Sequence, residues 1–226
     1  RLHHRGPVVQ ADGDLAGISK VLNQTDTSHD RVYIAALHYR HPTVAALAND
    51  YNKFKWLSGN KIVVIPNESA YLFFARLALP DQAWLDRFLP PSALIDALPA
   101  PDGQTNYREY QLAVPPSIKP QVEMNVNYGN LIRLVGYDRE ANAESGKTAS
   151  VTLYWRVLKS PLSISPRPGQ GETSGDYSTF VELRDQWGFE WGQSGSFDYP
   201  SEEWAPGEVI INRLDVPVAA GAYGIE

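Results

Sequence analysis

Four aromatic residues near the C-terminal end of the chain have the type and spacing of a carbohydrate-binding surface. Trp187 and Trp191 lie four positions apart, and Tyr199 and Trp204 follow soon after, with Phe197 close to them in sequence. Sugar rings stack on flat apolar faces of this kind. The same rings can instead seal a hydrophobic core, because each aromatic side chain buries about 150–250 Å². We predict that Trp187, Trp191, Tyr199 and Trp204 bind carbohydrate, with a place in the core as the alternative.

The segment from Trp187 to Trp191 also carries a prediction about its local structure. It reads Trp-Gly-Phe-Glu-Trp, and it follows a strand-like run that ends near Arg184. Glycine disfavours a stable helix here. We therefore predict a hairpin turn or a short loop in which at least one of the two indoles is partly exposed.

Other residues that could do chemistry have a simpler interpretation. His38 and His41 have helical spacing for a metal site, but no carboxylate or cysteine lies nearby in sequence, so capping or packing is favoured. Asp12 and Asp14 resemble the start of a calcium loop without its later ligands, which favours a helix cap. Gly169-Gln-Gly171 is followed by no helix that would hold a phosphate. We predict no catalytic residue, no metal site and no cofactor.

Composition excludes several classes of partner. The formal net charge is −6, and the basic residues are not clustered, whereas nucleic-acid binding depends on grouped Lys and Arg. We therefore expect no nucleic-acid partner. The chain has no cysteine, which excludes disulfides, thiolate metal sites and a cysteine nucleophile.

The two ends of the chain indicate a fragment of a longer protein. The sequence begins at Arg1, has its one methionine at Met124, and stops at Glu226 just after a turn-like segment. We expect the last strand to be truncated. No window approaches about 18 uninterrupted apolar residues, so we expect no transmembrane helix, and the chain shows no signal peptide.

Helical and strand signals alternate up to about residue 115, which predicts a small α/β domain over residues 1–114. Leu15, Ile18 and Leu22 form the apolar stripe of a first helix, and Pro80-Asp81 opens a later one. Between them, strand-like runs are followed by a helix that starts at Pro42 and by a turn-forming cluster over residues 66–69. The predicted strands are Arg31–Leu37, Lys61–Ile65 and Tyr71–Ala75, the last two being neighbours in one sheet.

A proline-rich stretch over residues 90–120 predicts a connector between two domains. Its first part, Pro90–Pro101, has too many fixed φ angles for a regular element, and we expect it to be extended. Within the stretch, Arg108–Val114 has the composition of one further strand.

From Gln121 onward the signals are those of an antiparallel β domain. Four runs alternate with the two-residue period of half-buried strands. These runs are Leu131–Tyr137, Val151–Val157, Tyr177–Leu183 and Val209–Val216. In the second run, one face is expected to lie in the core, and it carries Val151, Leu153, Trp155 and Val157. Pro206-Gly207 has the chemistry of a type II turn that leads into the last run. We predict an α+β chain of two domains, in which residues 121–226 form an immunoglobulin-like or jelly-roll-like β-sandwich.

Motifs along nearly the whole chain resemble those of a known family. These motifs are Arg31–Ile34, His38–Val44, Lys55-Trp56, Val63–Pro66, Tyr128–Asp138, Val151–Trp155, Asp176–Val181, Trp204–Glu208 and Gly221–Tyr223. Through them the second half resembles the β-sandwich at the C-terminus of large bacterial membrane glycosyltransferases, notably those of Chloroflexi-type bacteria. The first half resembles the segment after the last transmembrane helix of the same proteins, which are similar to the protein O-mannosyltransferase and aminoarabinose transferase group.

The resemblance implies a function for the parent protein. That reaction is transfer of a sugar from a polyprenyl-phosphate carrier on the extracytoplasmic side, with acidic residues between the N-terminal membrane helices doing the acid/base work. The matched motifs serve packing and turns, so no residue of this chain inherits a catalytic role. The resemblance therefore implies a non-catalytic soluble domain that is tethered through the parent's membrane region and helps to position an acceptor glycan or protein.

Two other classes of protein remain open. One is a free-standing, secreted carbohydrate-binding or adhesive β-sandwich protein. The other is a soluble hydrolase, which would need two carboxylates placed for acid/base work. The sequence does not single out such a pair among its acidic residues.

Overall fold

The computed structural model describes residues 13–99, 105–139, 144–161 and 177–222, and it is predominantly β. The described helices are α1 (Gly13–Leu22), α2 (Pro42–Leu47) and α3 (Gln82–Leu85). The described strands are β1 (Arg31–Ala36), β2 (Lys55–Ser58), β3 (Ile62–Ile65), β4 (Ala70–Ala75), β5 (Leu94–Pro99), β6 (Thr105–Leu112), β7 (Val122–Tyr128), β8 (Ile132–Arg139), β9 (Thr148–Val157), β10 (Phe180–Arg184), β11 (Glu190–Gly195) and β12 (Val209–Pro217).

The chain divides into two compact units. The first contains residues 1–60 and 68–116, and the second contains residues 61–67 and 117–226. Three of the sequence predictions fall outside the described residues. These are the helix cap at Asp12, the segment Gly169–Gly171 and the truncated last strand after Ala222.

The first unit is built on a mixed five-stranded sheet with the order β2-β1-β4-β6-β5. Strand β1 runs parallel to its neighbours β2 and β4, and β6 runs antiparallel to both β4 and β5. Nearly all of β1 and the whole of β4 are buried, as expected for the middle strands of a covered sheet. Two of the three strands that the sequence predicted for this layer, Arg31–Leu37 and Tyr71–Ala75, lie in this sheet as β1 and β4.

Helix α1 packs on this sheet through the stripe that its sequence predicts. Leu15, Ile18 and Leu22 are all buried in the core of the unit. Tyr107 of β6 comes so close to α1 that a Cβ on Gly17 would lie 3.0 Å from its ring. The close approach is possible because glycine has no side chain, and it brings the helix onto the sheet.

Strand β3 corrects the predicted pairing. We expected Lys61–Ile65 to lie beside Tyr71–Ala75, but β3 pairs antiparallel with β12 in the second unit, with Val63 opposite Ile211. All four residues of β3 are buried. A short strand that is apolar on both faces can pair at the edge of any sheet that other residues cover on both faces. The sequence of such a strand therefore does not specify its partner.

The proline-rich connector also differs from the prediction. Pro90–Pro101 was expected to lack regular structure, yet it contains a 3-10 turn at Pro91–Ala93 and the edge strand β5. Register shifts interrupt the pairing of β5 with β6 at two points, and Pro99 ends the strand. Proline is tolerated at the end of an edge strand because one side of that strand needs no ladder hydrogen bonds.

The second unit holds a five-stranded antiparallel sheet with the order β3-β12-β9-β8-β7 and the separate hairpin β10-β11. The hairpin packs on the sheet through a small apolar cluster. This cluster consists of Ala149, Leu183, Val216, Val218 and Ala222, with Val181 and Trp191 packed against it. The arrangement is compatible with a β-sandwich, and the core face predicted for β9 is buried.

A titration prediction follows from Glu109 in the first unit. Glu109 is 5% exposed on β6 and lies opposite Asp96 of β5. Burial, and secondarily the charge of Asp96, raises the pKa of Glu109 above 4.5. The folded state therefore holds this proton more tightly than the unfolded chain does. Stability is lost as the pH rises from 4.5 through the folded-state pKa.

We accordingly expect Glu109→Gln to be more stable than the wild type at pH 7, with a difference that shrinks as the pH falls towards 4.5. Urea denaturation at several pH values measures this. Asp96→Asn removes only the secondary cause, so its effect is expected to be smaller and in the same direction. A stability difference that does not change with pH would contradict the prediction.

Candidate binding site

The second unit contains a cavity of about 320 Å³ whose walls are mostly aromatic. The rings come from strands β7, β9 and β10 and from the segments that flank the β10-β11 hairpin. The aromatic lining residues are Tyr128, Trp155, Tyr177, Phe180, Phe197 and Trp204. Ile132 and the hydroxyl side chains of Ser178 and Thr179 complete the lining.

Five of these rings form a continuous chain of contacts. The ring centroids of Tyr128 and Trp155 are 5.6 Å apart, and those of Trp155 and Phe197 are 6.4 Å apart. Phe197 and Trp204 are separated by 5.4 Å, as are Trp204 and Tyr177. These spacings fall in the range of favourable ring pairs, about 4.5–7 Å. Each ring therefore supports the next, and the wall is held in place by packing.

Exposure divides the rings into a base and a rim. Trp155 and Trp204 are buried, at 8% and 3% exposure. In contrast, Tyr128, Tyr177 and Phe180 are exposed. A ligand entering the cavity would therefore pass rings that are accessible to solvent before it reached rings that the core holds rigidly.

Hydrogen bonds behind the cavity fix Trp204. Its indole Nε1 donates to the carbonyl oxygen of Tyr199 at 3.0 Å. The Tyr199 hydroxyl in turn donates to the carbonyl oxygen of Glu203 at 2.7 Å, and it lies 3.2 Å from Oε2 of Glu208. That carboxylate also accepts from the backbone N–H of Ala205 at 2.9 Å. The side-chain donor of Trp204 is thus used internally, and its ring is what remains for packing and for the cavity.

Trp155 differs from Trp204 in this respect. Its indole Nε1 is buried and has no hydrogen-bond partner among the residues that the structure describes. A buried donor without a partner costs about 1–3 kcal/mol. Trp155 is therefore kept at the base of the cavity by its ring contacts and not by its polar atom.

The β10-β11 hairpin carries the other two predicted residues. Trp187 is 70% exposed in the turn and Trp191 is half-buried on β11, so the prediction of a turn with an exposed indole is confirmed. Asp185 accepts from the indole Nε1 of Trp191 at 3.0 Å and from the backbone N–H of Trp187 at 2.9 Å. The bond from Trp191 is the main reason that the pKa of Asp185 is lowered.

The structure divides the four predicted carbohydrate-binding residues into two groups. Trp187 and Trp191 belong to the hairpin, where the carbonyl oxygen of Trp191 accepts from the N–H of Ala219, just beyond the C-terminal end of β12. Tyr199 and Trp204 instead precede the N-terminal end of that strand. The nine residues of β12 span roughly 27 Å. Trp204 lines the cavity and Tyr199 is fully buried behind it. Carbohydrate binding by these four residues stays a prediction.

Sequence reasoning did not place Tyr128, Trp155, Tyr177 and Phe180 in a site. Trp155 was assigned to the core face of its strand, which is where it lies. Tyr177 and Phe180 fell in the run that was predicted as a strand over Tyr177–Leu183, whereas Tyr128 lies on β7, a strand that the alternation did not predict. Their convergence on one cavity depends on strand pairing over long sequence distances, which a local pattern does not encode.

One residue of the histidine pair, His41, has the capping role that the sequence favoured. His41 precedes α2, and its Nδ1 accepts from the backbone N–H of Thr43 at 3.3 Å. The rings of His38 and His41 stack with their centroids 6.3 Å apart. Across the described ranges, no group of three or more His, Cys, Asp or Glu residues is placed to hold a metal ion.

Comparison of the chain with protein-family models, with curated proteins and with solved structures finds no match. In the part of the chain that the structure describes, no helix combines the length and the apolar character that crossing a bilayer requires. The resemblance to membrane glycosyltransferases therefore stays a prediction, and the geometry of the site carries the functional argument.

Proposed function

We propose that the chain is the non-catalytic, extracytoplasmic part of a bacterial membrane glycosyltransferase that uses polyprenyl-phosphate sugars, and that its second unit binds glycan in the aromatic cavity. In this proposal the two units are separate domains, the second being an immunoglobulin-like or jelly-roll-like sandwich. The partners are the parent membrane domain and an acceptor glycan. The motif resemblance supports the parent reaction, and the cavity supports glycan binding.

The observation that carries the proposal is the aromatic lining of the cavity. Its volume of about 320 Å³ lies at the small end of the roughly 300–1,000 Å³ that is typical of ligand pockets. A ligand of one or two rings matches this volume better than a long polymer does. The apolar faces of a pyranose would stack on the rings, and hydroxyls on Ser178, Thr179 and the two tyrosines would meet its polar edge.

The lining also supports a binding role over a catalytic one. Glycoside hydrolysis typically uses two acidic side chains that flank the reacting bond, and acid/base catalysis of glycosyl transfer uses a positioned acidic or basic side chain. The described residues around the cavity supply aromatic rings, one aliphatic side chain and hydroxyls. We therefore expect the purified chain to bind glycans without turning over polyprenyl-phosphate sugars, and measurable transfer would refute this.

Replacement of Tyr177 tests the cavity. Tyr177 is 45% exposed and packs on Trp204, so Tyr177→Ala removes a rim ring at little cost to the fold. Stacking of a nucleic-acid base on a protein aromatic ring is worth about 1–3 kcal/mol per contact. We expect the stacking of a sugar ring on Tyr177 to contribute a similar amount, so its removal should weaken glycan affinity about tenfold or more. Titration with a panel of mono- and disaccharides measures it.

A matched control for this titration is Leu77→Ala. Leu77 is 63% exposed in the first unit, so the variant removes a similar exposed apolar side chain without touching the cavity. The control is expected to bind as the wild type does. Equal glycan affinity of Tyr177→Ala and the wild type would contradict the proposal.

The alternative of a free-standing, secreted carbohydrate-binding protein uses the same cavity. It differs from the first proposal in what the parent gene encodes upstream of Arg1. Some ten or more transmembrane helices there would favour the glycosyltransferase, and a signal peptide directly upstream would favour the secreted protein.

A further inference from the structure

Two arginines lie side by side on the five-stranded sheet of the second unit. Arg133 of β8 is directly opposite Arg156 of β9, and we call these two residues the arginine pair. Their sequence neighbours Ile132 and Trp155 line the cavity, and successive residues of a strand point to opposite faces of a sheet. The arginine pair therefore lies on the other face of the sheet, apart from the proposed glycan site.

The row of residues that contains the arginine pair crosses the whole sheet and includes no carboxylate. From β7 to β3 it consists of Asn127, Arg133, Arg156, Val209 and Ile65. Nε of Arg133 is buried without a hydrogen-bond partner. Within the described part of the chain, no salt bridge or hydrogen bond joins either guanidinium to another residue. The row thus contributes two positive charges and nothing that neutralises them.

The acidic residue next to this row does not supply the missing charge. Glu208 directly precedes Val209, so its side chain is on the cavity side of the sheet. There its carboxylate accepts from the backbone N–H of Ala205 at 2.9 Å and lies 3.2 Å from the hydroxyl of Tyr199. Its hydrogen-bonding capacity is therefore used behind the cavity, away from the arginine pair.

An arginine pair of this kind opposes folding unless it has a ligand. Like charges directly opposite each other on adjacent strands are destabilising, and a buried donor without a partner loses its hydration for no return. Arg156 is exposed and Arg133 is partly exposed, so an anion from solvent can reach both side chains. Local rules of protein structure are broken mainly at functional sites, and a bound anion would remove both penalties.

We propose that the arginine pair binds a phosphate monoester. The planar guanidinium matches phosphate oxygens bidentately, and directly opposite residues have Cβ atoms about 4.5–5.5 Å apart, so both side chains reach one group. A monoester has a charge of about −1.5 to −2 at pH 7, which balances two guanidiniums. A carboxylate or a phosphodiester carries only one negative charge. The flanking Asn127 and Val209 are uncharged, so the site holds one phosphate group and not a polyanion.

Calorimetric titration at constant ionic strength tests this proposal, with ethyl phosphate as the monoester. The wild-type chain is expected to bind ethyl phosphate at least tenfold more tightly than diethyl phosphate or acetate. The double variant Arg133→Gln, Arg156→Gln is expected to lose at least tenfold in affinity for ethyl phosphate. The matched control is Arg139→Gln, which removes an exposed arginine at the other end of β8, roughly 20 Å from Arg133, and it is expected to stay within twofold of the wild type.

Thermal unfolding shows whether the variants fold and separates binding from a purely structural role. Without ligand, Arg156→Gln is expected to raise the unfolding midpoint, because it removes one of two opposed like charges. Ethyl phosphate is expected to raise the midpoint of the wild type and to leave that of the double variant unchanged. Arg156→Lys keeps the charge and loses the planar fork, so it is expected to bind more weakly than the wild type at a similar midpoint.

Vesicles of phosphatidylcholine with and without phosphatidic acid distinguish a lipid-borne monoester from a soluble one. Flotation that requires phosphatidic acid and the arginine pair, without binding of ethyl phosphate, would support the proposal and place the monoester on a lipid. Binding of ethyl phosphate without flotation would support it and place the monoester on a soluble molecule. Three results would overturn the proposal: a wild type that binds neither carrier, a folded double variant that binds as the wild type does, or equal affinity for ethyl phosphate and diethyl phosphate.

Discussion

Trp155→Ala is expected to lower the free energy of unfolding of the second unit by about 3–5 kcal/mol, the usual cost of deleting a buried tryptophan. The residue lies at the base of the cavity, where its ring contacts those of Tyr128 and Phe197. Across the sheet it is opposite Leu134 on one side and Ile210 on the other. Its deletion would leave a void between two strands and remove the centre of the ring chain.

Trp155→Phe separates the ring from the polar atom. Phenylalanine keeps most of the ring contacts and removes the buried N–H that has no partner among the described residues. Since an unsatisfied donor costs about 1–3 kcal/mol, its removal offsets part of the lost area. We expect Trp155→Phe to cost less than about 1.5 kcal/mol. Guanidinium denaturation of both variants measures the difference, and equal losses would contradict the assignment of the ring as the stabilising part.

Gly192→Ala is expected to destabilise the same unit by about 3 kcal/mol, at the upper end of the cost of overpacking. A Cβ at this position of β11 would collide with the carbonyl oxygen of Pro217 at the end of β12. Backbone cannot rotate away as a flexible side chain can. The hairpin would have to lift from the sheet, which would weaken the hydrogen bond from Ala219 N–H to the carbonyl oxygen of Trp191.

Gly188→Ala is the matched control in the same hairpin. A Cβ added to Gly188 would have no atom within 4 Å, so the cost of this substitution comes only from the positive φ of +83°. That strain is worth roughly 1–2 kcal/mol. Hydrogen exchange of the Ala219 amide, measured together with denaturant midpoints, distinguishes the two effects. The prediction fails if Gly192→Ala is no more destabilising than Gly188→Ala.

Several local features of the fold followed from the sequence alone. The alternation of β9 placed Leu153 and Trp155 on a core face, and both are buried, although Thr152 and Tyr154 on the opposite face are buried as well. Gly207 has the positive φ, +91°, that the predicted turn requires. Asp81 caps α3 by accepting from the backbone N–H of Trp84 at 2.9 Å. These features are predictable because each depends on residues a few positions apart.

The partners of the strands were not predictable in the same way. The run Ile62–Ile65 had the composition of a covered strand, and its sequence neighbour Ala70–Ala75 was the obvious partner. The structure pairs it with β12, more than a hundred residues later in the chain. Ladder hydrogen bonds are the same for every strand, so only the packing of the whole sheet decides which covered edge a short apolar strand fills.

The binding site shows the same division between sequence and tertiary structure. The sequence by itself determined that the C-terminal segment is rich in aromatic residues and that a glycine turn exposes Trp187. Only tertiary structure decided that Trp204 belongs with Tyr128 and Trp155 at one cavity, while Trp191 packs near the far end of β12. The physical reason is that a local pattern sets which face a side chain occupies, whereas distant rings meet only through strand order, register and the close approach that Gly192 permits.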